Sequence, residues 1–133
     1  MNQPEGVHAS RVRVGRVYSP RADSWARVLV DRLWPRGLTH DRADLDWWCK
    51  EISPSTELRR WYHDNDQYPE FRQRYQVELG VEPRRSALEQ LGRLALERGV
   101  VLLTSTRNTH ISQAAVICDF LGGPSAATPG RAQ

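Results

Sequence analysis

At 133 residues the chain has the size of one ordinary domain, with no room for a second core. Its formal net charge of +3 sets 19 Lys and Arg against 16 Asp and Glu, and the acids lie between the bases, which argues against the basic stripe of many nucleic-acid binders. No apolar run approaches the roughly 18 residues of a membrane span, the opening MNQPEGVHAS lacks a leader's apolar centre and the C-terminus carries no lipidation box, so a cytoplasmic protein without a membrane partner is expected.

Residues 1–10 and 122–133 are polar or small and are expected to form poorly ordered tails around a single domain over 11–121. Val12, Val14 and Val17, with arginines between them, predict a half-exposed strand closed by Ser19 and Pro20. The uninterrupted apolar runs Val28 to Val30 and Val100 to Leu103 suit strands covered on both faces, hence central ones. A helical turn is expected over Leu45 to Lys50. Ser53 and Pro54 read as the N-cap and first position of a helix reaching about Tyr62. The next helix begins near Asp66, sets Phe71, Tyr75 and Leu79 on one face and stops at Gly80. Pro83 starts another, with Leu88, Leu91 and Ala95 inward, Glu89 and Arg93 outward, and Gly99 at its end. The last helix follows the last strand and buries Ile111, Ala114, Ala115, Cys118 and Leu121, while Val116, Ile117 and Phe120 make its other face apolar too. Alternating strands and helices predict an α/β fold with a small, largely parallel sheet of about three strands flanked by four or five helices.

Ligands of such sheets gather where the C-terminal ends of the strands meet the following loops. Two segments fall there: Asp31 to Gly37 (DRLWPRG) and Thr104 to His110 (TSTRNTH). The second has the composition of an anion site, with hydroxyls, the Arg107 fork and, if a helix opens there, free amides; the plainer reading makes Asn108 or Thr109 an N-cap and Ser105 a turn residue. Asp31 and Arg32 alternate to opposite faces if the strand continues, so Asp31 is read as an organising partner. Arg36, already in the loop beyond Pro35, is favoured over Arg32 as a ligand contact. Of five tryptophans, Trp34, Trp47 and Trp48 lie close enough in sequence to wall a pocket, whereas Trp25 and Trp61 read as caps on the core.

Lys50, Glu51, Ser55, Arg59 and His63 complete the candidates, with Ser55, Arg59 and His63 at i, i+4 and i+8 of one helix. His63 and His110 are the acid-base candidates if there is catalysis. Cys49 and Cys118 read as small buried hydrophobes, and no zinc spacing, phosphate loop, dinucleotide fingerprint or nucleophile elbow occurs. The reading that emerges is a small anionic ligand held by Arg32, Arg36, Ser105, Arg107 and Asn108. Its rival is a nucleic-acid or protein-binding module using exposed Arg and Trp residues.

The order RVY, VLVDRLWPRG, CKEISPSTELRRWYH, FRQRY and LLTSTRN resembles the small bacterial YeaO-like proteins, a branch of a domain-of-unknown-function family, from about Arg13 to Leu121. The resemblance implies an α/β domain in which Asp31, Arg32, Trp34, Pro35, Arg36 and Gly37 match one motif and Lys50, Glu51, Pro54, Ser55, Leu58 and Arg59 another. It also implies an Asn-His pair in the last helix, where this chain has Ser112 and Gln113. Glutamine exchanges no proton near neutral pH, so the substitution favours binding over catalysis unless His110, three residues earlier, takes over from the same helix face.

Overall fold

A computed structural model describes residues 11–123. The expected tail at 1–10, and all of the one expected at 122–133 except Gly122 and Gly123, lie outside the described residues.

Among the described residues, four strands form one parallel sheet: β1 (Val12–Arg16), β2 (Ala26–Leu29), β3 (Trp47–Trp48) and β4 (Val100–Thr104), in the order β1-β4-β2-β3. Val14 and Val28 both lie opposite Leu102, so the two continuous apolar runs occupy the centre, as their composition predicts. The helices are α1 (His40–Ala43, a single turn), α2 (Thr56–Asn65), α3 (Tyr68–Leu79), α4 (Arg84–Glu97) and α5 (Gln113–Phe120), with a 3-10 turn at Lys50–Ile52. No helix among the described residues is long and apolar enough to cross a membrane.

The sheet's two faces are built differently. Val12, Ala26, Val28, Val30, Val100 and Leu102 point to one side and meet the buried residues of α2 to α5, among them Leu58, Phe71, Tyr75, Leu91 and Ile117. Alternation sends Leu29, Val101 and Leu103 to the other side, where with Val17 they meet Trp25, Trp34, Leu38, Leu45 and Trp48. No residue of α2 to α5 belongs to this second cluster. Gly99 marks the seam: its φ of +84° suits the turn into β4, and a Cβ there would come within 2.6 Å of the Trp25 ring.

The fourth strand was absent from the expected three. Trp47 and Trp48 form β3 against Val28 and Leu29, where a helical turn over 45–50 is predicted, and the one-turn helix lies earlier, capped by the Thr39 hydroxyl. Two residues are too few to display a period, which explains the misreading. Ser53 is not the N-cap of α2: it is extended before Pro54, as residues preceding proline prefer, and its amide closes the end of the 3-10 turn onto Lys50. The N-cap of α2 is Ser55, whose hydroxyl accepts the Leu58 amide. Asp66 ends α2 in a left-handed conformation instead of opening α3. The last helix starts later than expected, at Gln113, with Ser112 as its cap, so Ile111 lies outside it and is 43% exposed.

Candidate functional site

The C-terminal ends of β2 and β4 converge on one carboxylate. Asp31 follows β2 by two residues and is 8% exposed. Its Oδ1 accepts from Thr104 Oγ1 at 2.8 Å and Gln113 Nε2 at 2.7 Å, and its Oδ2 from the Ser105 amide at 2.8 Å and Ser105 Oγ at 2.9 Å. Four neutral donors occupy both of its oxygens, and no arginine, lysine or histidine among the described residues pairs with it. The Asp31 carbonyl accepts from Trp48 Nε1 at 2.8 Å, tying β3 to the same point. Asp31 therefore organises the strand ends, and the donors of Ser105 are committed to it. The donors of this loop serve the protein's own carboxyl group.

Arg32 leaves in the other direction, into solvent, and reaches the start of α2. Arg32 Nη1 donates to Thr56 Oγ1 at 2.9 Å and Arg59 Nη2 donates to the same oxygen at 3.1 Å. Arg59 Nε also donates to the Pro54 carbonyl at 3.3 Å. Burial, then the charges of Arg32 and Arg60, push the Arg59 guanidinium below its ordinary value. Among the described residues no carboxylate pairs with Arg32, Arg59 or Arg60. Two like charges thus share one hydroxyl beside the N-terminus of a ten-residue helix, where the backbone dipole is also positive.

Arg36 and Arg107 are both exposed, and neither guanidinium has a hydrogen-bond partner among the described residues. Their loops are linked at the same end of the sheet. The Arg36 carbonyl accepts from Tyr18 Oη at 2.9 Å, the Arg16 guanidinium lies 4.9 Å from the Tyr18 ring, and Arg16 Nη2 donates to the Ser105 carbonyl at 3.2 Å. Asn108 accepts the His110 amide through its Oδ1 at 3.1 Å and so shapes a turn, not a helix start. His110 precedes the Ser112 cap, which removes the helix-face argument linking it to Gln113.

The remaining candidates scatter. His63 is almost fully exposed, bonded only to neighbouring Asp64 at 3.4 Å, and sits about 10 Å along α2 from Thr56. Ser55 gives its amide and hydroxyl to Glu78 of α3, a structural tie between helices. The Lys50 ammonium lies 4.3 Å from the Trp48 ring, and Glu51 is exposed without a hydrogen-bond partner among the described residues. Trp34, Trp47 and Trp48 do line one cavity of about 290 Å³, together with His40, Leu45 and Asp46; His40 stacks on Trp34 at 4.0 Å. Trp61 packs against the first core and Trp25 against the second. Cys49 and Cys118 are buried, which pushes both thiols up to about 12, and no group of three or more metal-ligating residues occurs among the described residues.

Two participants escaped the reading of the sequence. Thr56, the hydroxyl between Arg32 and Arg59, carries no signal distinguishing it from any first-turn threonine. Arg27 is only 4% exposed, and a charge inside the apolar run of ARVLV was a visible sign of an unusual position.

The family model described as the inactive DUF488-N3 subclade matches residues 11–131. Among curated proteins, the uncharacterized protein Rv3073c of Mycobacterium tuberculosis is 43% identical over 119 residues, covering 88% of this chain and 98% of the relative. An uncharacterized protein of Mycobacterium bovis, Mb3100c, matches to the same extent. The uncharacterized protein YeaO of Escherichia coli is 40% identical over 112 residues, covering 83% of this chain and 96% of that protein. No solved structure matches significantly.

Proposed function

Because the chain belongs to the inactive DUF488-N3 subclade, we propose that it is a binding domain without turnover, taking a small phosphate- or carboxylate-bearing ligand at the strand-end crevice. The observation that carries this reading is the pair Arg32 and Arg59, both donating to Thr56 Oγ1 with no carboxylate between them. Guanidinium forks match the planar or tetrahedral oxygens of such anions, and a bridging oxyanion would turn repulsion between the two charges into two attractions. Arg36 and Arg107, exposed and without hydrogen-bond partners among the described residues, are proposed as further contacts from loops at the same end of the sheet, and Asn108 shapes the loop that presents Arg107. The family description supports binding over catalysis, as do Gln113 in the position where a proton-exchanging histidine was expected and the solvent-exposed positions of His63 and His110.

The test is thermal unfolding of the wild type and the Arg59→Ala and Arg32→Ala variants against phosphate, sulfate, phosphosugars, nucleotides and short nucleic acids. A ligand at about 100 times its dissociation constant adds roughly 2.7 kcal/mol of stability. The expected result is a rise in Tm with a small anion that either arginine variant abolishes and that His63→Ala and His110→Ala retain. A response only to polynucleotides, falling steeply with salt, would replace this reading with a nucleic-acid surface.

A further inference from the structure

On the second face of the sheet, away from the Arg32 and Arg59 pair, a cavity of about 140 Å³ opens between β1, β4 and the residue 19–23 loop. Its apolar lining comes from Val101 and Leu103, and Gly15 leaves the room: a Cβ there would press to 3.2 Å from Val101 Cγ1 and 3.4 Å from Leu103 Cδ2. Arg13, Arg16, Arg21 and Arg27 also line it, against the single carboxylate of Asp23.

These guanidiniums are unequally committed. Arg21 is fully engaged, bonding Asp44 and Asp46 and the Trp25 carbonyl. Arg13 uses one nitrogen on Asp23 at 2.9 Å and lies 4.5 Å from the Trp25 ring, leaving Nε and Nη1 without partners among the described residues. Arg16 Nε is buried without a hydrogen-bond partner. Arg27 is the most telling. It is 4% exposed, and its Nε and Nη2 donate only to the carbonyls of Val17, Ala43 and Asp44, so no carboxylate hydrogen-bonds this buried cation. Its Nη1 makes no hydrogen bond among the described residues, and Arg27 lines the cavity. Asp44 and Asp46 act on this charge without hydrogen-bonding it, its two bonded nitrogens meet only neutral oxygens, and a charged acceptor at the third would strengthen its hold.

We propose that this cleft is a second ligand site, independent of the strand-end reading, and takes a short-chain aliphatic carboxylate. The carboxylate oxygens meet Arg27 Nη1 and the free edge of Arg13. The hydrocarbon lies on Val101 and Leu103 in the space left by Gly15. The combination of guanidinium walls with an apolar floor favours such an acid over inorganic phosphate, which has no apolar part to bury, and the volume excludes a nucleotide.

The test uses the full chain and methyl-labelled nuclear magnetic resonance, with isovalerate, inorganic phosphate and sulfate as probes. Isovalerate is expected to shift the Val101 and Leu103 methyls saturably and phosphate is not. Arg13→Gln should weaken isovalerate binding about tenfold or more, as should Gly15→Ala, while Arg59→Ala leaves it unchanged. Two variants guard against misfolding, since Arg13 is partly exposed and its loss leaves the strand intact. The proposal falls if isovalerate leaves both methyls unmoved, if Arg13→Gln and Gly15→Ala bind it as the wild type does, or if phosphate shifts the same methyls equally. Loss of isovalerate binding in Arg59→Ala would place that ligand at the strand ends and also overturn it. Failure of phosphate to bind at Arg59 would bear only on the strand-end site.

Discussion

One face of the sheet is sealed by four helices and a large apolar core, and the other by tryptophans, loops and arginines. The same four strands serve both. On the helical side the core is apolar apart from two thiols, Tyr75 and the hydroxyls of Ser53 and Ser112, and a largely buried ion pair, Arg72 with Asp119, joins α3 to α5. On the other side a buried Arg27 depends on backbone carbonyls, and Arg21 depends on Asp44 and Asp46. The difference teaches where this fold keeps its stability and where it keeps its charge. The larger apolar cluster lies on one face, and the buried arginine lies on the other.

The largest effect expected from this division is a contrast between neighbours. Leu102 and Leu103 are both essentially buried but face opposite ways. Leu102→Ala should cost about 4 kcal/mol, near the upper part of the range for such truncations, because four helices cannot all collapse into the gap. Leu103→Ala should cost about 2.5 kcal/mol, since loops and tryptophan side chains relax more easily. Denaturant unfolding of both variants measures the contrast, and equal losses would erase it.

Asp31 sits where the faces meet, and Asp31→Ala is expected to cost about 3 kcal/mol by stranding the donors of Thr104, Ser105 and Gln113. Gln113→Ala removes one of the four bonds and should cost about 1 kcal/mol in the same assay.

Alkali should act on the helical face. Cys49 and Cys118 both belong to its core, and burial pushes each thiol up to about 12. An unfolded thiol ionises near 8.5, so the stability each contributes is complete below about that pH and declines as pH rises toward about 12. The slope is roughly 1.4 kcal/mol per pH unit per thiol within that window. Replacing both cysteines with alanine should flatten the alkaline limb of stability against pH.

Acid should act on the other face, with the smallest effect. The Arg21 hydrogen bond holds the Asp44 carboxyl below its usual value. Asp46 is also held low, since the Arg27 amide and Arg21 outweigh the opposing effect of its burial. Their contribution is present above the unfolded carboxylate range, near 3.9, and is lost as pH falls through the lower folded values. Three of the five tryptophans, Trp25, Trp34 and Trp48, lie on that face, so part of the tryptophan emission should change in acid before the helical circular dichroism does.

The parts of this molecule that a sequence displays are those with a local pattern. Val28 to Val30 and Val100 to Leu103 announced central strands, and Phe71, Tyr75 and Leu79 announced the buried side of α3. The bonds of Asp31 did not show, because Ser105 and Gln113 lie 74 and 82 residues away and only the parallel topology brings them together. The same holds for the convergence of Arg32 and Arg59 on Thr56, which depends on how α2 docks beside the end of β2. Arg27 is different in kind. Its position within an apolar run was visible, and what it meant required knowing which carbonyls surround it.

The sheet's edges carry a final consequence. Strand β3 is two residues long, and β1, at the opposite edge, bears Arg13 and Arg16. An outer strand that short offers little template for a foreign chain, and one studded with charges discourages pairing at close range. Both flanks of the sheet are therefore poor seeds for fibril growth, so the chain should stay dispersed at high concentration despite a centre rich in valine and leucine.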